Sequence, residues 1–187
     1  YPTRYVAATD ALKDFVVGDK VTFLADPASK YADYDAPFAY EIKNETLDAR
    51  KAAAAAVEEK INALADPVTT KEEREAARKV KADYDALDDD VKKHVAPEAV
   101  TKLNKALAEA DIQDLHDAQK VRKVSGTTIK DVKKAVIKLY NDIDPTVEVT
   151  VNSAKDDGAT AANPENLEVV FTKGEAEYSF TADFTIE

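Results

Sequence analysis

From Thr46 to Val124 the chain reads almost without interruption as amphipathic helix, and from Val147 onward its apolar residues alternate instead. This change of period is the strongest constraint on the fold. A helical stripe buries one face about every 3.6 residues, and a strand buries every second residue, so the two stretches need different architectures. The chain is therefore expected to be α+β, with a small helical bundle in the middle and a sheet at the C-terminal end. Short strand-like runs before residue 45 offer to complete that sheet.

The helical stretch divides at recognisable signals. A first helix is expected over Thr46–Ala65, with Val57, Ile61 and Leu64 on one face and Ala52–Ala56 supplying high helix propensity. Asp66-Pro67 ends it. Thr69 or Thr70 suits the next N-cap, and Thr70 with Glu73 has the spacing of a capping box. Ala77, Val80, Tyr84 and Leu87 then form a stripe. Asp88, Asp89 and Asp90 interrupt it and can cap a short helix, Val91–Val95. Pro97 fits the first position of a third helix, whose stripe is Val100, Leu103, Leu107 and Ala110. After Ser125-Gly126, Thr127 or Thr128 caps a last helix with Ile129, Val132, Val136, Leu139 and Ile143 on its apolar side.

Strands are expected around Val147–Val151, Leu167–Phe171 and Tyr178–Ile186, with Lys173-Gly174 as a hairpin turn. Near the other end, a short helix over Tyr5–Val17 stopping at Gly18, then strands over Lys20–Leu24 and Phe38–Ile42, complete the reading. Asp26-Pro27 is expected to close the first of these strands. The implied organisation is 1–45, 46–124 and 125–187, the last carrying a helix and a three-stranded sheet of immunoglobulin-like or incomplete type.

Composition narrows the function. Among 187 residues there is no Cys, two His and four Gly, and the formal net charge is −11. Without Cys there is no thiolate nucleophile, disulfide or Cys-based metal site. His94 and His116 lack any H-x-x-x-H spacing, no Ser lies in a G-x-S-x-G context, and no glycine-rich phosphate loop exists. The expectation is a protein that is not an enzyme. An acidic surface repels nucleic-acid phosphates, so nucleic acid is not expected as a partner, and no apolar run is long enough for membrane insertion. The opening Tyr1-Pro2 is that expected of a mature form or an excised fragment.

Calcium is the one cofactor with candidate ligands. Asp88, Asp89 and Asp90 sit at a helix junction, and Asp156 and Asp157 sit in a loop between strands; hard oxygen ligands on turns suit that ion. Helix capping and a solvated turn are the alternatives for the two groups. Tyr31 and Tyr34 form a candidate ligand-binding aromatic pair for a carbohydrate, against the alternative that both pack back on the domain.

Val57-Glu58-Glu59-Lys60-Ile61-Asn62-Ala63-Leu64, then Val68-Thr69, then Ala76-Ala77-Arg78 and Tyr84-Asp85-Ala86-Leu87, followed by Val95 and Leu103, resembles a recurrent helical segment of Gram-positive bacterial cell-surface proteins, S-layer-type multidomain proteins among them. The resemblance covers about Ala53 to Ile112. It implies an extracellular, wall-associated structural segment that spaces modules and assembles with itself or with other surface-protein modules. A second reading is an adhesin-type binding module that recognises a wall polysaccharide or a host protein.

Overall fold

The structure is a computed structural model that describes residues 7, 9–30, 37–119 and 122–187. It is an α+β protein with strands β1 (Val21–Lys30), β2 (Pro37–Asn44), β3 (Lys123–Val124), β4 (Glu148–Asn152), β5 (Glu165–Lys173) and β6 (Ala176–Ile186). The helices are α1 (Glu45–Asn62), α2 (Lys71–Asp85), α3 (Asp89–Lys92), α4 (Pro97–Ala118) and α5 (Ile129–Asn141). Two compact units divide the chain, one from Tyr1–Glu58 with Leu87–Val95, the other from Glu59–Ala86 with Ala96–Glu187. These boundaries follow contacts rather than composition. They cut within α1 and assign α4 to the same unit as the C-terminal sheet.

The larger unit has two layers, helices over one face of a sheet. Its sheet runs β3-β6-β5-β4, antiparallel except for the short parallel pairing of β3 with β6. Val149 and Val151, Leu167, Val169 and Phe171, and Ala182 and Phe184 point to one face and are buried. The intervening Glu148, Thr150, Glu168, Thr181 and Asp183 are exposed. Strict alternation of this kind marks a sheet covered on one side only. The cover is helical. Ile112 and Leu115 of α4, with Val132, Val136 and Tyr140 of α5, join the same apolar core. The immunoglobulin-like expectation is thereby corrected, since helices stand where that fold has a second sheet. The N-terminal strands do not complete this sheet either; β1 and β2 form a separate two-stranded ribbon.

Local signals explain most element boundaries. Thr70 Oγ1 accepts from the Glu73 backbone N–H at 3.3 Å, and the Glu73 carboxylate accepts in return from the Thr70 N–H at 2.8 Å, the reciprocal capping box. Pro97 opens α4, and Thr128 caps α5 through the Asp131 N–H. Lys173 pairs with Ala176 across a tight turn in which Gly174 has φ +56°, the left-handed geometry that primed hairpin turns require. The α5 core face turns on Tyr140, with Leu139 half-buried and Ile143 exposed, because the helix ends at Asn141. α4 is buried along two sides. It packs against α2 and also against β5 and β6, with Ala108, Ile112 and Leu115 in the core shared with the sheet, so it does not belong to a free-standing bundle.

The smaller unit is organised by one carboxylate. Gly18, at φ +104°, turns the chain so that Asp19 Oδ2 accepts from the Val16 N–H at 3.1 Å and from Asn44 Nδ2 at 2.6 Å. Asp19 Oδ1 accepts from Arg50 at 3.1 Å. The same Asn44 uses its Oδ1 to accept from the Leu47 N–H at 2.9 Å, which caps the first turn of α1. Of the helix expected over Tyr5–Val17, the described residues form a short 3-10 turn, Thr9–Leu12, and Tyr5, Val6 and Ala8 lie outside the described residues. β1 runs through Pro27 to Lys30 rather than stopping there, with register shifts after Thr22 and after Asp26. A strand with one paired side tolerates proline, because the missing N–H can belong to its open edge.

Candidate functional site

The acidic residues singled out for calcium are not gathered. The Asp88 backbone carbonyl accepts from the N–H groups of Val91 and Lys92, while its side chain makes no cap hydrogen bond. Asp89 lies 3.9 Å from Lys92, and Asp90 pairs with Lys93 at 2.7 Å and with Arg50 at 3.8 Å. Lys93 first, then Arg50, holds the Asp90 carboxyl below its ordinary range. In the loop before β5, Asp157 Oδ1 pairs with Lys133 at 2.8 Å, which lowers its pKa in the same way. The Asp157 carbonyl accepts from the Lys130 N–H, and the Asp156 carbonyl accepts from the Ala159 N–H. This loop thus straps the start of α5. Among the described residues no three His, Cys, Asp or Glu side chains converge as a metal site. Tyr31 and Tyr34 lie outside the described residues.

The histidines take unlike places. His94 lines a shallow groove of about 430 Å³ in the smaller unit with Arg50, Lys51, Lys93, Asp14 and Asp90. His116 packs edge-on to Tyr178 at 5.3 Å and Phe180 at 4.7 Å, and its Nδ1 lies 3.3 Å from Asp117.

A charge ladder between α2 and α4 escaped the sequence reading. Arg74 donates to Asp117 at 2.7 Å, and Arg78 donates to Asp114 at 2.6 Å and Asp111 at 3.1 Å. Arg74 Nε lies 2.9 Å from Asp114, but its N–H is not aimed at that oxygen, so the contact is Coulombic. Burial pushes the Asp117 carboxyl up, while hydrogen bonds from His116 and Arg74 outweigh it and leave the pKa lowered. Lys173 of β5 extends the ladder to Asp111 at 2.6 Å and to Thr146 at 2.8 Å. Two arginines four residues apart and three aspartates three apart were the available signal; each set lies on one helix face.

The surface best suited to a partner is the β1-β2 ribbon. Leu24 and Tyr40 stand directly opposite each other in its ladder, so their side chains share a face, and they are 50% and 42% exposed. Among the described residues, six of the seven exposed large apolar side chains, Val16 and Val17 among them, fall in this smaller unit, so exposure is concentrated rather than scattered. Among the described residues no third strand pairs with β1 or β2. Glu41, at φ +51°, forms the bulge that twists β2 next to Tyr40.

Compared with protein-family models, with curated proteins and with solved structures, the chain matches none. No helix among the described residues is long and apolar enough to cross a membrane.

Proposed function

We propose that this chain is a structural, non-catalytic segment of a bacterial cell-surface protein of the S-layer type, acting outside the cell by spacing modules and joining protein–protein assembly. The observation that carries the reading is the ribbon, where Leu24 and Tyr40 form an exposed apolar pair on a two-stranded sheet. A lone ribbon is marginal in water, and burial of that face against another protein surface would stabilise it. The α2-α4 charge ladder supports the spacing role, because repeated guanidinium–carboxylate bonds fix two long helices against sliding. The helical resemblance to S-layer-type proteins supports the setting. Calcium enters as a bridge between acidic surfaces rather than as a preformed site.

The test is sedimentation velocity over a concentration series, with calcium and with chelator, on the parent chain and on the double variant Leu24→Ser/Tyr40→Ser. Association that grows with concentration in the parent and is lost in the variant is expected. A parent that stays monomeric throughout removes self-assembly and leaves the adhesin-type reading, to be tested with isolated wall polysaccharide and host proteins.

A further inference from the structure

We propose that the larger unit carries a docking site for a lysine side chain presented by another protein, in the cavity between the Pro67–Thr69 turn, α4 and the start of β6. The cavity holds about 240 Å³ and is lined by Pro67, Val68, Glu109, Ile112, Glu177 and Tyr178, among others. It is smaller than the usual span of small-molecule sites, roughly 300–1,000 Å³, and so suits one long side chain better than a whole cofactor. Its walls are apolar where an aliphatic stem would lie, on Pro67, Ile112 and the Tyr178 ring. Besides the Tyr178 hydroxyl, its polar side chains are Thr69, Glu109, Gln113 and Glu177, and the two that carry charge are both acidic.

Glu109 gives the site its chemistry. This carboxylate is only 12% exposed, and its Oε2 accepts from the Val68 N–H at 2.8 Å. Its nearest cation, Lys105, stands 3.6 Å from Oε1 and is itself held by Asp66 at 2.6 Å. A carboxylate offers about four acceptor positions, so a largely desolvated Glu109 keeps acceptor capacity that its own chain does not use. Glu177, an exposed lining residue, adds a second negative charge. An ammonium on a flexible four-carbon stem satisfies both demands, burying its methylenes while its three donors meet oxygen. The inference rests on this cavity alone and stands whether or not the ribbon drives self-assembly.

The experiment is a titration of the intact chain with Nα-acetyl-lysine amide, followed by amide chemical shifts. Saturable shifts confined to Val68, Glu109, Gln113 and Tyr178 are expected, with affinity at least about tenfold weaker for the Nα-acetyl-norleucine amide that lacks the ammonium. Glu109→Gln can still accept from the Val68 N–H, and it should weaken binding about tenfold at an unchanged melting temperature. Glu177→Gln, at an exposed position, provides a second variant with a smaller loss should the first fail to fold. Equal affinity for the norleucine probe, or shifts that spread over the acidic surface without saturating, would overturn the proposal. Putrescine binding tenfold tighter than the lysine probe would also overturn it, reassigning the cavity to free diamines.

Discussion

Leu167, Val169 and Phe171 of β5 are fully buried, whereas Leu24 and Tyr40 of the ribbon keep about half their surface in water. Both regions are antiparallel strands bearing apolar residues, so strand chemistry does not separate them. The larger unit has α4 and α5 laid over one face of its sheet, and the ribbon's apolar pair has no such cover among the described residues. An alternating pattern states which face should be buried; a covering layer decides whether it is. The larger unit therefore carries its own core, and the ribbon carries an apolar surface available to a partner.

The sharpest way to break this contrast is Val136→Asp. Val136 is fully buried among α5 and sheet residues, and an unpaired carboxylate there should destabilise the larger unit by more than ~4 kcal/mol. Far-UV circular dichroism and urea unfolding would show it; a variant that unfolds like the parent would mean the helical cover is not holding the sheet. Next comes the ladder. The Arg74 side chain is 9% exposed, so Arg74→Ala should cost about 1–3 kcal/mol, against less than ~1 kcal/mol for the more exposed Arg78→Ala. Similar losses at the two positions, measured by the same unfolding curves, would deny that burial sets their value.

Smaller effects sharpen the picture at α2. Thr70→Ala should cost about 1 kcal/mol by removing the cap. Glu73 is lowered from 4.5 to about 2, chiefly by the N–H groups of Thr70 and then Thr69. A depressed carboxylate contributes its full share above its unfolded pKa and loses it as pH falls toward the folded value. Glu73→Gln should accordingly flatten the acid limb of the melting temperature between pH 4.5 and about 2 relative to the parent. The smallest change is expected at the ribbon, where Leu24→Ser should move the stability of the monomer by no more than ~0.5 kcal/mol. A loss near that of a buried leucine, in thermal melts at low concentration, would place Leu24 in a core rather than on an assembly surface.

The legible parts of the fold were those specified by neighbours in sequence. The Thr70–Glu73 box, the Pro97 start, the Thr128 cap and the Gly174 turn each depend on residues within a few positions, and the chain adopts them where the residues stand. The period-two segments also became strands. Long-range choices were not legible. Ile129, Val132 and Val136 are compatible with a stripe continuing to Leu139 or to Tyr140, and the packing of Tyr140 into the sheet core, with its ring 4.9 Å from that of Phe171, is a long-range contact that sequence spacing does not state. Pro27 looked like a strand end because proline lacks a donor, yet an edge can absorb that loss. The calcium residues clustered in sequence, but Asp90 pairs with Lys93 and Arg50, Asp157 pairs with Lys133, and among the described residues no three acidic or His side chains converge. The Glu109 cavity had no sequence signal, since its lining comes from three separated stretches.

The order of strands bears on synthesis as well as on stability. β6 follows β3, β4 and β5 in the chain, yet it lies between β3 and β5 in the sheet. A ribosome that has already released the α4 and α5 segments has still not supplied the strand that joins the two sides. Until Ala176–Ile186 emerges, one edge of β5 lacks its neighbour and β3 lacks the strand it pairs with. Closure must then couple positions as distant as Val124 and Ile186, a loop whose entropy slows folding. Nascent chains stalled before β6 should be open to proteases across the whole larger unit, and they become resistant in one step once that strand is free of the tunnel.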